Sequence, residues 1–403
     1  MNVPALRFPE FEREWEAINL AKLVDEKRKI TYGIVQPGKF VDEGVYLVRG
    51  GDYSNGWSPR EAFKKVTAEI DRPYRRSKLK AGDLLITIVG ANTGNVATVP
   101  DWLEDANITQ TTARIAVEKI NAIPQFIEKI LGSRKGQREV YKYIKGAAQP
   151  GLNISDLDKF QLTVPSLPEQ KKIAAFLGVV DAKIAALRAR VAGLERYKRG
   201  LMQALFSQTL RFTKPDGSAF PDWEEKRLGE YLELSRLRVK ATTNIPVYSS
   251  ARDGLKPQKD YFADRELSNE GEYGVVPPGL IVYRHMSDDL TFKFNLNDLG
   301  HEIAVSKEYP VFGTTGMDVR YLRLWLNNSD EFARFAAMQK LGGTRTRLYF
   351  KTLQSWRVSI PHLDEQAKIA EALSAMDAKI AAVSGQLDLM QDFKKGLLQQ
   401  MFV

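Results

Sequence analysis

The sequence has no cysteine and only three histidines among 403 residues. The first absence excludes disulfides, thiolate metal sites and a cysteine nucleophile. The histidines, His285, His301 and His362, lack metal-ligand spacing with one another or with a carboxylate cluster. No apolar run reaches the ~18 residues that suggest a membrane helix. The opening stretch MNVPALRFPEFEREWE has no basic segment followed by an apolar one, so no signal peptide is expected and the cytoplasm is the expected compartment. Neither a GxGxxG loop nor a Walker A loop is present. An Asn/Asp-Pro-Pro-aromatic motif, of the kind amino-methyltransferases use on a flipped base, is missing too; Val276-Pro-Pro-Gly279 lacks both ends of it. The run Pro221-Asp-Trp-Glu-Glu-Lys226 imitates the Pro-Asp and Glu-x-Lys elements of a nuclease. Those elements are contiguous, however, and a two-metal site needs carboxylates brought from separate strands. A helix N-terminus or a turn is expected there.

What is present suits a soluble chain of two to three domains. Hydrophobic residues make up 43% and charged residues 27% of the sequence, an ordinary globular balance. The net charge is +9 and the pI about 9.3. Such a surplus favours a polyanionic partner, nucleic acid first, although many soluble proteins are mildly basic.

The dominant feature is an internal repeat. Residues 161–206 align without a gap on 357–402, and about 19 of the 46 pairs are identical. PSLPEQKKIA in the first copy meets PHLDEQAKIA in the second. Each copy reads as a long helix. Ser166 and Glu169 have capping-box spacing, with Pro168 in the first turn; Asp364 and Glu365 put negative charge at the other helix start. Apolar residues follow in alternating steps of four and three: Ile173, Leu177, Val180, Ile184, Leu187, Val191 and Leu194, then Ile369, Leu373, Met376, Ile380, Val383, Leu387 and Met390. This is a heptad seam, and a seam so narrow needs a partner helix. The two copies supply each other, and a chain that folds back makes them antiparallel. About 40 residues at ~1.5 Å each give a rod of about 60 Å.

Between the helices lie two stretches of similar length. Short β-rich runs at Val45–Val48, Asp83–Val89, Leu280–Tyr283 and Arg357–Ile360 stand between turn signals, with helical pieces at Ile123–Leu131 and Asp318–Leu326. Trp15-Glu16 before Leu20 matches Trp223-Glu224 before Leu228. The expected division is a first domain over 1–165, a helix over 166–208, a second domain over 209–360 and a helix over 361–403. Thr209–Phe220, with Lys214-Pro-Asp-Gly217, is the expected boundary turn. The fold class is mixed α/β, with two similar domains separated by two long antiparallel coiled-coil helices in a pseudo-twofold repeat.

Several segments suit DNA contact. Arg72, Tyr74, Arg75, Arg76, Lys78 and Lys80 crowd cations around one aromatic ring, which phosphates would neutralise; the bland alternative is a solvated basic loop. Arg49 stands before Gly50 and Gly51, with Asp52 and Tyr53 following. Arginine reads guanine bidentately, and glycines let backbone approach a groove closely. Asn92, Thr93, Gln110, Thr111, Thr112 and Gln149 are polar turn or strand-edge residues that either read bases or cap turns. In the second domain Ser249, Ser250, Arg252, Lys256, Gln258, Arg284, Thr314, Thr344, Arg345, Thr346 and Arg347 offer the same chemistry.

Taken together, the doubled Pro-x-Leu-x-Glu-Gln-x-x-Ile-Ala helix resembles the specificity subunit of type I restriction–modification enzymes. Each copy is led by a Gly-rich polar stretch (Gly146–Asn153 in the first) and then a strand. Ile245-Pro-Val-Tyr-Ser-Ser250, with Gly254, Gln258 and Tyr261-Phe262 after it, resembles the opening of a target recognition domain in that family. The resemblance covers nearly the whole chain. One departure is His362-Leu-Asp364 where the first copy has Ser166-Leu-Pro168. The resemblance implies two domains that each read half of a split duplex site, with the helix pair setting the spacer; the major groove, where all four base pairs can be distinguished, is the expected reading surface. It implies no catalysis and no cofactor in this chain. Two adenine methyltransferase subunits would dock mainly on the helices, through Glu169, Gln170, Ile173, Leu177, Val180, Ile184, Leu187, Glu365, Gln366, Ile369, Leu373, Met376, Ile380 and Val383. A restriction and translocase subunit would join them, and S-adenosylmethionine, ATP and magnesium would belong to those partners. No membrane partner is implied. Competing readings are a two-headed coiled-coil scaffold for proteins and, weakened by the missing motifs, a nuclease or methyltransferase.

Overall fold

The computed structural model describes residues 3–54, 56–146, 149–262, 271–340 and 345–402. The chain packs as two compact units, Met1–Arg188 with Gly385–Val403, and Ala189–Ser384. Each long helix, Leu167–Phe206 and Leu363–Met401, is one uninterrupted element that gives half of itself to each unit. The packing division therefore falls inside the helices. Thr209–Phe220 lies within the second unit, where Gly217 N donates to Lys214 O at 3.0 Å and closes the expected turn.

The two units share a plan. In the first, an antiparallel four-stranded sheet runs in the order Thr31–Tyr32, Thr112–Ile115, Leu84–Thr87, Val96–Thr98. A three-stranded sheet has the order Lys64–Val66, Val45–Val48, Asn107–Ile108. The strand Glu16–Asn19 pairs with Gln161–Val164, which leads into the long helix. The second unit repeats the four-stranded sheet with Leu232–Ser235, Val311–Thr314, Ile281–Tyr283 and Phe294–Leu296 and the helix-leading pair with Glu224–Arg227 and Arg357–Ile360; its three-stranded sheet, Arg238–Lys240, Glu272–Val276 and Ile303–Ser306, is antiparallel throughout, whereas Val45–Val48 and Asn107–Ile108 of the first unit pair in parallel. The nuclease-like run is thus neither helix start nor turn. Its Glu224 to Lys226 form a strand edge, because Arg357–Ile360 needs a partner before its helix.

Within each unit the helix halves run antiparallel. In the first, Asp181 pairs with Lys394 at 2.6 Å, while Phe402 packs edge-on to Trp15 beside Glu169 near the start of the first helix. In the second, Lys198 pairs with Asp377 at 2.5 Å, and Met202 and Leu205 share a core with Ile369 and Leu373. The seam is broader than a coiled-coil stripe. Ile173, Leu177, Val180 and Ile184 are buried among Trp15, Phe126, Phe160 and Met401, so much of it anchors the helix to its own domain. Leu187 and Val383 are buried; Met376 and Ile380 are half-buried.

The repeated Glu-Gln pair has a structural purpose. Glu169 is 1% exposed and accepts from Arg7 Nε and Nη2 at 2.8 and 2.8 Å and from Trp15 Nε1 at 3.2 Å. Glu365 is 0% exposed and accepts from Arg211 Nε and Nη2 at 3.1 and 2.9 Å and from Trp223 Nε1 at 3.2 Å. Gln170 Oε1 accepts from Ile123 N at 3.0 Å, and Gln366 Oε1 from Asp318 N at 2.9 Å. Each glutamine also donates to the carbonyl of Pro165 or Pro361 at 2.9 Å. These four residues are consumed internally and offer nothing to a docking partner. Glu169 makes no capping box, because its carboxylate is held by the arginine and the tryptophan.

Candidate nucleic-acid interface

In the first unit, hydrogen bonds bring the predicted segments together. Thr109 N donates to Val48 O, Gln110 N to Ile34 O, Ile88 N to Thr111 O and Gly90 N to Pro150 O, all at 2.8–3.1 Å. Tyr74 Oη accepts from Val35 N at 3.4 Å, and Arg76 lies over the Tyr32 ring at 6.0 Å. Residues 31–35, 49–53, 72–76, 90–94, 109–112 and 149–151 are therefore neighbours.

The basic run divides when its partners are counted. Lys78 is spent on Asp71 at 2.8 Å and on the carbonyl of Asp105 at 2.7 Å. Arg72, Arg75, Arg76 and Lys80 are exposed and have no carboxylate partner among the described residues. Arg75, Arg76 and Lys80 line an open groove with Lys27 and Lys29, two cations the sequence analysis missed. Below them Arg114, 2% exposed, donates to the carbonyls of Arg28, Lys29 and Arg76 at 3.1, 3.0 and 3.0 Å. Burial holds this guanidinium below its ordinary pKa. The signal for Arg114 was a charge at an inward position of the otherwise apolar run Ala113–Val117.

Arg49 is the best placed of the specificity candidates. Its side chain is 41% exposed, while Asp52 grips it through Oδ1 at 2.9 Å and Oδ2 at 3.3 Å. Asp52 is buried and orients the guanidinium; it contacts no groove itself. Tyr53 is likewise buried, bonded to Thr87 Oγ1 at 2.8 Å and packed on Trp57, and burial pushes its hydroxyl up to about 12. Thr112 is 0% exposed. Gly50 serves the interior, since a Cβ there would meet Thr87 at 2.8 Å, whereas Gly51 has nothing within 4 Å. Thr93 caps its turn through the carbonyls of Gly90 and Pro150 at 2.6 and 3.0 Å. Asn92 and Thr111 are half-buried, and Gln110 and Gln149 are exposed. Tyr53→Phe is expected to cost about 1 kcal/mol of stability by losing one buried hydrogen bond. DNA sequence preference should not move, and a shift in the recognised bases would show that the hydroxyl reaches the groove.

In the second unit Ser250, Arg252, Arg284, Ser287 and Lys293 line one open groove. Arg252 is paired with Asp289 at 2.8 Å and Arg345 with Asp288 at 2.9 Å. Lys256 is paired with Asp253 at 2.5 Å. Such exposed pairs are weak and exchange readily for phosphate. Arg284 and Arg347 are exposed without a carboxylate partner among the described residues; Gln258 is half-buried. Three candidates are buried, Ser250 in the groove wall. Ser249 and Ser250 are buried, and Ser250 Oγ accepts from Asn295 Nδ2 at 2.9 Å; Thr346 is 3% exposed in a strand pair with Ser287. Thr314 is half-buried and donates to Met317 O at 2.8 Å. Thr344 lies outside the described residues.

Among the described residues no group of His, Cys, Asp and Glu could hold a metal ion, and no helix is long and apolar enough to cross a membrane. Two α/β units, each with a cation-lined face and each tied to a long helix by a Glu-Gln clamp, are the features of a paired recognition module. The sequence model described as "Type I restriction modification DNA specificity domain" matches residues 15–196 and 221–389. The chain belongs to this family, which favours DNA sequence recognition over a protein scaffold. It is 29% identical over 198 residues to the EcoBI type I restriction enzyme specificity subunit of Escherichia coli, covering 49% of this chain and 41% of that one. It is 21% identical to the MjaVIII specificity subunit of Methanocaldococcus jannaschii over 98% of this chain and 92% of that one. The fold is shared with the S subunit of a type I restriction–modification system from M. genitalium, with a TM-score of 0.58, 15% identity, and coverage of 100% of this chain and 99% of that one.

Proposed function

We propose that this chain is the non-catalytic DNA specificity subunit of a type I restriction–modification complex. Each unit reads one half of a bipartite duplex site through the major groove, where all four base pairs can be told apart. The continuous helices, shared by both units, fix the spacing of the halves. Two methyltransferase subunits and a restriction and translocase subunit complete the complex. They carry the S-adenosylmethionine, ATP and magnesium chemistry, and the exposed faces of the helices receive them. The observation that carries this reading is the duplication of a cation-lined face, once in each unit, beside a duplicated helix.

Lysines and arginines hold phosphates and set register, while a few side chains specify bases. Arg49→Ala is expected to relax one half of the site only, costing about 1–3 kcal/mol of discrimination at one base pair. Replacing Arg75 and Arg76 by Ala should instead weaken binding to all sequences and flatten its salt dependence. Selection of bound sequences from a random duplex pool, repeated for each variant, checks both outcomes. Equal loss on every sequence for Arg49→Ala would make that residue a phosphate anchor.

A further inference from the structure

The same place in the two units is charge-balanced in one and unbalanced in the other. Ile123 and Asp318 both donate their backbone N–H to the repeated glutamine, so the helices they open, Pro124–Gly132 and Val319–Asn328, correspond residue for residue. Glu128 then falls on Arg323. The ion pairs Asp181–Lys394 and Asp377–Lys198 are likewise equivalent positions of the repeat.

In the first unit the cluster closes on itself. Lys129 Nζ reaches Glu128 and Asp181 at 2.7 Å each, and Lys394 reaches Asp181 at 2.6 Å. Two cations meet two carboxylates. Burial lowers the Lys129 pKa, but Glu128 and Asp181 outweigh it and hold the group above its ordinary value.

In the second unit Lys198 takes the one carboxylate, Asp377, at 2.5 Å. Arg323 stands one helical turn before Asn327, whose side chain brackets the backbone of Phe294 at 2.9 and 2.9 Å. That places Arg323 beside Lys293. Neither has a hydrogen-bond or ion-pair partner among the described residues, and Arg323 Nε is buried without an acceptor. Burial first, and then the like charges of Arg323 and Lys198, outweigh the attraction of Asp377 and hold the Lys293 ammonium below its ordinary pKa. A half-buried surplus of this kind is costly unless an anion completes it. Lys293 also lines the groove that holds Arg252 and Arg284, so an anion that follows that groove arrives at this cluster.

We infer that Lys293 and Arg323, backed by Lys198, bind one phosphate of the DNA backbone beside the second half-site, and that the first half has no counterpart. The inference rests on the DNA-reading function proposed above and adds an asymmetry to it: the phosphate contact belongs to one end of the bound duplex.

The test uses the full chain and a mixed-sequence duplex, with affinity measured across a series of KCl concentrations. Each phosphate contact contributes about 0.9 to the slope of log K against log salt. The double variant Lys293→Gln/Arg323→Gln is expected to lower that slope by about 0.9, with a melting temperature equal to or above the parent's. A Lys119→Gln/Lys135→Gln variant, which removes two exposed cations from the first unit, controls for net charge and should leave the slope near the parent's. Lys129→Gln should lower the melting temperature and leave the slope alone. A parent slope retained by Lys293→Gln/Arg323→Gln overturns the inference while DNA reading stands, and so does an equal fall in the Lys119→Gln/Lys135→Gln control. A parent chain that shows no salt-dependent binding overturns the DNA-reading function, and this inference with it.

Discussion

Glu365→Ala is expected to destabilise the second unit by about 2–4 kcal/mol, because it strands a half-buried guanidinium and a tryptophan N–H together. Glu365 accepts from both Arg211 and Trp223 and so ties the segment before the second domain to the start of its helix. Glu169→Ala should do the same to the first unit through Arg7 and Trp15. If the two units melt separately, calorimetry will show one transition lowered and the other unchanged in each variant. Glu365→Gln should recover part of the loss, since an amide oxygen still accepts from Trp223. A loss below about 0.5 kcal/mol, the size of an ordinary surface substitution, would show that the clamp does not hold the unit together.

The second large effect concerns the helices. Four residues inserted after Ala185 and four after the equivalent Ala381 lengthen both helices by about 6 Å. At about 3.4 Å per base pair, this is between one and two steps of duplex. The expected result is a longer unread spacer between unchanged half-sites, because the reading faces are built within each unit and not by the inserted turns. Base-modification sequencing of DNA from cells that carry the variant together with the proposed methyltransferase subunit reads both properties at once. Altered half-site bases with an unaltered spacer would contradict the role given to the helices.

Much of the architecture was legible in the sequence. The gapless repeat gives the two helices, and strand runs such as Val45–Val48 and Arg357–Ile360 coincide with observed strands. These are local patterns of period two or of alternating four and three, and they survive without knowledge of tertiary contacts. The Glu-Gln pair was misread because an acidic residue near a helix start ordinarily faces water or caps the turn. Its partners here lie in Arg7, Trp15, Arg211 and Trp223, well outside the repeat. The recurrence of arginine and tryptophan ahead of both domains was the signal that could have found them.

The reading residues were harder to see for a related reason. A polar residue in a loop has no periodicity to say which way it faces. Tyr53 and Thr112 look like contact residues until the cluster of Tyr53, Trp57 and Phe63 and the filled strand Thr112–Ile115 turn them inward. Arg49 stays at the surface because Asp52, three residues on, holds it there. The charge surplus around Lys293 and Arg323 arises only when residues from a strand edge and a helix are brought side by side.

The most direct test of the central claim is a methylome. The chain is co-expressed with a methyltransferase subunit of its own system in cells that lack adenine methylation, and the DNA is sequenced with modification detection. The account predicts adenine methylation at one split motif, with two short defined halves around a fixed unread spacer. Methylation at a single continuous motif, or none at all from a soluble co-purified complex, would contradict it.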